Sequence, residues 1–227
     1  MEPVQIESFV DEQLSRWKAR QREKRPPAFL YPVITLSMEP GSGGRIIAGR
    51  TAQRLGYDYF DRDLIEGIAK SAKISAKVVD TLEKERLTGV EEFIASLVKI
   101  KYLYPGSYLR HLMRVVGAIA KHGRAVIVGR GANFLIPEDQ RLSVRVIAPL
   151  DRRVENVARE FGLKLEAARK RVVQREAKRR AFIRESFHTS VDDPMHYDMV
   201  INTAKISLDS AVGAIVGALT PTPEASG

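Results

Sequence analysis

Three glycines fall within the run Pro40-Gly41-Ser42-Gly43-Gly44-Arg45. Glycine lets a backbone turn tightly enough for successive N–H groups to converge on one set of oxygens, and phosphate is the usual guest of such a cradle. The β-type run Val33-Ile34-Thr35-Leu36-Ser37 precedes the turn. Ile46, Ile47, Ala48, Ala52 and Leu55 follow it at helical spacing as far as Gly56, a fitting C-cap. Strand, glycine turn and helix in that order aim the positive end of the helix at the turn. The expected phosphate ligands are therefore Gly41, Ser42, Gly43, Gly44, Arg45 and Ile46. The common phosphate-loop pattern closes with Lys and then Ser or Thr. Here Gly44 and Arg45 hold those positions. By pattern alone, a glycine turn of another kind stays open.

Arginine is the second chemical theme. It stays charged and presents a planar fork of donors that suits phosphate. Arg130 follows the apolar run Ala125-Val126-Ile127-Val128 and sits between Gly129 and Gly131, close to backbone and to any ligand there. We expect it to bind an acceptor phosphate, against the plainer reading of a surface arginine in a turn. Asp61, Arg62 and Asp63 follow another short β-type run and are candidate acceptor ligands, with helix capping by either aspartate equally open. From Arg169 to Arg184 the chain is strongly basic. Arg171, Arg175 and Arg179 share one helical face, and Arg180 pairs with Arg184. Like charges at this spacing repel, so a bound polyanion would relieve them, although a solvated basic helix accounts for many such runs. Ser37 and Ser42 are candidate magnesium or phosphate contacts. The four histidines show no metal-ligand spacing, and the pattern assigns no metal ligand.

These groups need elements to hold them. We expect an amphipathic helix over residues 5–22, with Ile6, Phe9, Val10, Leu14 and Trp17 on one face, and a linker at Pro26-Pro27. That helix could pack on its own domain, on a second copy or on another protein. Tyr57–Asp61 reads as a strand and residues 63–120 as mostly helical, with a break at Pro105-Gly106. Leu142–Ala148 and Met199–Ile201 read as strands. Helices are expected from near Asp151, an apparent cap, from Leu165 past Arg180, and from Ser207 to about Leu219. Residues 220–227 read as a disordered tail. Strands alternating with helices argue an α/β fold with a parallel sheet covered on both faces. In such sheets ligands sit at the carboxyl ends of strands, and segments 38–45, 61–63 and 129–131 all fall there.

Composition narrows the partners. The net charge of +9 favours polyanions. The chain has no cysteine, which excludes disulfides, thiolate zinc sites and cysteine nucleophiles and fits a cytoplasmic setting. No apolar run approaches the length of a membrane helix, and the acidic start is unlike a secretory signal. Aromatic content of 7% and the lack of a recognised module argue against nucleic acid.

Several segments together resemble the cytidylate-kinase-like family. They are Ile34-Thr35-Leu36-Ser37 with Gly41-Ser42-Gly43-Gly44-Arg45, then Leu55-Gly56 and Tyr59-Phe60-Asp61-Arg62-Asp63-Leu64-Ile65. Ile127-Val128-Gly129-Arg130-Gly131-Ala132 and Asp193-Pro194 through His196-Tyr197-Asp198 to Val200-Ile201-Asn202-Thr203 continue the likeness. It covers about residues 31–217. It implies a phosphate-loop kinase domain over 31–219, a helical acceptor-binding insertion over 63–120 and a basic lid over 165–190, with residues 1–30 outside. It implies ATP and Mg²⁺ as cofactors, phosphoryl transfer to a nucleoside monophosphate and Arg45, Arg175, Arg179 and Arg180 as catalytic candidates. Met38 and Pro40 depart from the family's pattern, and Gly131 stands where related segments have an aspartate. The missing lysine leaves a non-catalytic nucleotide-binding module as the alternative.

Overall fold

The computed structural model describes residues 3–21, 31–100 and 106–219. Five strands, β1 (Val33–Met38), β2 (Asp58–Phe60), β3 (Ala125–Val128), β4 (Arg141–Ile147) and β5 (Met199–Asn202), form one sheet in the order β2-β3-β1-β4-β5. Every pairing is parallel, with Leu36 of β1 opposite Val128 on one side and Val144 on the other. A parallel sheet is buried on both faces, which is why its strands read as near-continuous apolar runs.

The alternation along β1 divides the core. Ile34 and Leu36 pack with α2 (Gly44–Leu55) and α10 (Leu208–Leu219). Val33 faces the other core, built by α3 (Arg62–Lys70), α4 (Ala72–Val79), α5 (Lys84–Ile100) and α6 (Ser107–His122), and closed by α7 (Ala132–Leu135). Among the described residues, the helical stretch expected over 63–120 is thus four helices. Two further helices, α8 (Leu150–Phe161) and α9 (Leu165–Phe187), form a hairpin held by Val154, Val157, Ala168 and Val172. The end of α9 returns to the main core through Ile183 and Phe187.

The first helix, α1 (Pro3–Gln21), packs on its own domain. Ile6, Val10 and Trp17 are buried, and the Trp17 ring stacks on His122 at 3.9 Å and tilts over Phe60 at 6.3 Å. The helix also neutralises the edge strand: buried Asp58 receives two bonds from Arg20, at 2.6 and 2.8 Å, and one from Gln13 at 2.5 Å. Each large apolar side chain covered this way contributes about 1.5–3 kcal/mol.

The caps mark where local sequence decides the ends. Gly56 closes α2 in the left-handed region at φ 65°, where an L side chain is strained. Asp61 caps α3 by accepting from Leu64 N at 2.9 Å. Asp151 does not cap α8. Pro149 holds that position, and Asp151 lies in the first turn, 3.1 Å from Arg169. The expected linker at Pro26-Pro27, Pro105 and the tail 220–227 lie outside the described residues.

Candidate active site

The glycine loop joins β1 to α2, and its conformation explains its composition. Gly41 and Gly43 have φ of 83° and 80°. A Cβ on Gly41 would lie 2.4 Å from the Arg153 carbonyl oxygen, and one on Gly44 would lie 2.6 Å from Met38 Cβ. The loop is therefore pressed against α8 and β1, and only glycine fits. Ser42 is turned inward: its N–H and its Oγ both donate to the Glu39 carbonyl, at 3.1 and 2.8 Å. Its hydroxyl braces the loop and is not presented to a ligand. Glu39 is braced in turn by Ala148 N at 2.9 Å and by Arg153 Nε at 3.2 Å. The outward face consists of the first N–H groups of α2, at Gly44 and Arg45, ahead of Ile46, whose N–H already donates to the Gly43 carbonyl at 3.0 Å. Gly44, Arg45 and Ile46 open that helix, after Gly43 at its N-cap. This end can hold phosphate oxygens.

Beside the loop, at the carboxyl ends of β1 and β3, lies a cavity of about 200 Å³. Ser37, Met38, Arg62, Arg130, Lys178 and Arg179 line it, with Phe182, Ile183 and Val191 as apolar walls. The same Met38 that packs on Gly44 separates loop from cavity. Arg45 and Arg62 both approach Asp63, at 3.5 and 3.7 Å, and tie the two regions together along the rim.

Arg130 has φ 54° between glycines at 77° and 68°. A non-glycine residue in this region is strained, and such strain clusters at functional sites. Its guanidinium lies 2.7 Å from Glu66 and 4.8 Å from the centre of the Phe182 ring. Glu66 also takes Lys70 at 2.8 Å and faces Arg62 at 3.6 Å. Burial alone would raise the Glu66 carboxyl, but Lys70, Arg130 and Arg62 together hold it below the usual carboxylate range. Gly131 fits the same tight turn: a Cβ there would meet the Phe187 ring at 2.3 Å. Phe187 occupies the room that an aspartate would need.

The basic helix α9 divides its arginines among different tasks. Arg179 reaches the cavity and donates to the Met38 carbonyl at the end of β1. Burial, followed by repulsion from Arg62, Arg145, Arg175 and Arg130, pushes its pKa down to about 10. Arg175 is lowered by burial and then by Arg171 and Arg62, while Asp63 opposes the shift and Arg45 adds to it. The Arg175 guanidinium itself lies 6.0 Å from the centre of the Phe161 ring, outside the cavity lining. Arg180 is not brought to the cavity; it pairs with Asp192 at 2.7 Å and Glu176 at 3.1 Å. Asp61 is used as a cap, and Asp63 lies half-exposed between Arg45 and Arg62.

Two contributors are not singled out by the sequence pattern above. Glu66 was signalled by Arg62, Glu66 and Lys70 at i, i+4 spacing. Arg145 stands inside the apolar strand β4, where a charge is costly unless paired. It is buried, and it donates to Ser37 Oγ at 2.9 Å and to Asp192 at 2.7 Å.

No group of three histidine, cysteine or acidic side chains able to hold a metal occurs among the described residues. The position of the usual metal-binding hydroxyl carries Arg45, and Ser42 faces inward. A magnesium ion would then have to arrive on nucleotide phosphates and keep its waters, as Mg²⁺ commonly does.

The parallel sheet, the glycine turn at its central strand and the arginine-lined cavity beside it define a nucleotide-kinase-like α/β enzyme of the phosphate-loop type. The sequence matches the model of the cytidylate kinase-like family over residues 33–205, and the chain belongs to that family. A cytidylate kinase of Methanopyrus kandleri is 27% identical over 198 residues, covering 83% of this chain and 93% of its own. That of Pyrococcus horikoshii is 27% identical over 187 residues, covering 82% and 88%. The solved structure of an uncharacterized protein from Eubacterium ventriosum shares the fold, with a TM-score of 0.62 at 18% identity, covering 82% of this chain and 96% of that one. No helix among the described residues is long and apolar enough to cross a membrane.

Proposed function

We propose that this enzyme transfers the terminal phosphoryl group of ATP to a nucleoside monophosphate, with cytidylate the first acceptor to test, in a cytoplasmic nucleotide pool. The observation that carries this reading is the pairing of a phosphate cradle with a cavity walled by Arg62, Arg130 and Arg179. The turn over residues 41–46 would hold the donor phosphates through the backbone N–H groups of Gly43, Gly44 and Arg45, since those of Ser42 and Ile46 already donate to Glu39 and Gly43. Arg62 and Arg130 would hold the acceptor phosphate, with Glu66 fixing the Arg130 fork from behind. An acceptor phosphate oxygen then attacks the terminal phosphorus, and ADP leaves. Such a transfer asks the protein for position and for compensation of charge on the moving group. Arg179 lines the cavity and Arg175 lies one turn before it on α9, and with Arg45 they are the cations that would replace the absent lysine. Magnesium, bound with the nucleotide, supplies further neutralisation of phosphate charge. The apolar wall of Phe182, Ile183 and Val191 excludes water, which would otherwise compete as the acceptor.

A second reading rests on Arg45, whose side chain is 54% exposed and turned toward Asp63 rather than over the loop. A cradle without its lysine could bind nucleotide without turnover. ADP release from ATP with Mg²⁺, measured across CMP, dCMP, UMP and other monophosphates against a control without acceptor, separates the two. Acceptor-dependent release is expected. Release that no acceptor stimulates, with ATP binding intact, would leave the binding module. Arg130→Ala should weaken acceptor binding by about 30-fold or more while ATP binding holds, because a buried charge-assisted contact is lost. Unchanged acceptor affinity would refute the assignment.

A further inference from the structure

Two polar groups in the cavity have no internal explanation. Thr35 lies in the middle of the central strand and is 2% exposed, and Asn133 lies on α7 and is 6% exposed. Both line the cavity. Thr35 Oγ1 and Asn133 Nδ2 are buried without a hydrogen-bond partner. The Asn133 backbone carbonyl is engaged elsewhere, since it accepts from Arg141 Nε at 2.8 Å. Buried polar groups are nearly always paired, so two unpaired ones in a single cavity wall call for a ligand.

Exposure orders the cavity from mouth to floor. Lys178 and Arg62 stand toward solvent, while Thr35, Asn133, Val128 and Ile183 are buried. The mouth is cationic, and the floor is apolar with a hydroxyl and an amide. Arg130 and Arg179 carry the positive charge inward beside that floor, and the combination matches a ligand with an anionic end and a neutral polar end. Size narrows it further. A cavity of about 150 Å³ holds benzene, so the 200 Å³ here suits one six-membered ring better than a fused pair. A side-chain amide can offer its N–H₂ or its carbonyl oxygen, and a threonine hydroxyl can donate or accept, so the matching ring edge is a polar one.

We propose that Thr35 and Asn133 are the specificity-determining residues that bind the ring edge of the acceptor, beneath the arginines that bind its phosphate. This rests on the cavity being the acceptor site. It also explains why the core tolerates a threonine there. Valine would fill the same space without the cost of an unpaired hydroxyl.

The test uses the full chain and two phosphate-bearing probes, CMP and ribose 5-phosphate, the second lacking the ring. Thr35→Val should raise the melting temperature of the free protein by about 2–8 °C, since an unpaired buried group is removed. The same change, and Asn133→Ala, should each weaken CMP binding by about 10-fold while leaving ribose 5-phosphate affinity unchanged. In the unaltered protein, the side-chain amide resonance of Asn133 should shift with CMP and stay put with ribose 5-phosphate. A lower melting temperature with CMP affinity intact would mean that Thr35 has a structural partner. Equal loss of both probes would mean a collapsed pocket, and either result overturns the proposal. If the unaltered protein binds ribose 5-phosphate as tightly as CMP, ring recognition fails but the phosphate site stands. If it binds neither, the acceptor-site reading fails, and this proposal fails with it.

Discussion

Arg130 shows how much backbone freedom one side chain can demand. Residues 129–131 all lie at positive φ, and this places the guanidinium against Glu66 and Phe182. Glycine on each side makes the turn accessible, but Gly131 has a second constraint in the Phe187 ring. Gly131→Ala combines left-handed strain with overpacking and should cost about 2–4 kcal/mol in urea unfolding. A change below about 0.5 kcal/mol, within the range of ordinary surface substitutions, would show that Phe187 yields freely. At this scale the sequence was informative where a residue type has one use. Glycines flanking an arginine after an apolar strand signalled a tight turn at a strand end, and Arg62, Arg130 and Arg179 do converge on one cavity. It was uninformative where the partner is distant in the chain. Nothing in the local pattern could tell that Arg180 meets Asp192 while Arg179 turns inward, since both sit in the same basic run. Nor could it tell that Ser42 would brace the loop instead of facing a ligand.

Among the elements, α1 has the clearest energetic signature. Its apolar stripe was legible from spacing, but which surface it covers depends on where β2 falls in the sheet, and that is a tertiary fact. The helix lies against His122, whose ring stacks on Trp17 and whose Nε2 is 2.8 Å from Thr81 Oγ1. The Thr81 hydroxyl already donates to Val78 O, so the imidazole is the donor in that bond. Burial, with Arg86 and Arg20 adding to it and Asp58 opposing, pushes the His122 pKa down to about 4. The folded ring therefore stays neutral while the unfolded ring takes a proton as pH falls below its ordinary value near 6.5. Stability should be fully present above that value and fall as pH drops toward about 4, by up to about 3 kcal/mol. Urea midpoints followed by Trp17 fluorescence at about pH 7 and about pH 4.5, on either side of the ordinary histidine value, check this. His122→Gln, which cannot charge, should flatten the part of the slope that belongs to this site. An unchanged slope in that variant would assign the acid sensitivity to other groups. The sheet itself was easier to read than α1, because parallel strands buried on both faces leave apolar runs that few other structures require. Only ends moved, as with β2, which spans Asp58–Phe60 rather than Tyr57–Asp61.

For the molecule as a whole, a net charge of +9 means little until the fold concentrates it. Arg45 comes from α2, Arg62 from α3, Arg130 from the turn after β3, Arg145 from β4 and Arg175 and Arg179 from α9, so the sheet order gathers cations that are far apart in sequence. Arg179 bears the consequence, with its pKa driven to about 10 by burial and by four neighbouring arginines. Below that value the folded chain carries a charge in a place that disfavours it, at a cost of up to about 3 kcal/mol. Against this stands the bond to the Met38 carbonyl, worth about 1 kcal/mol net. The cost of the buried charge exceeds the gain from that bond, so Arg179→Met should raise the melting temperature of the ligand-free chain. Pyrophosphate, a probe of the phosphate sites alone, should raise the melting temperature of the unaltered chain by mass action and do so much less in the variant. A drop in stability on substitution, with the pyrophosphate response intact, would make Arg179 a brace for the end of β1. A gain in stability with the response lost would mean that the folded chain keeps an unfavourable charge in readiness for an anion, a trade of stability for function often met at active sites.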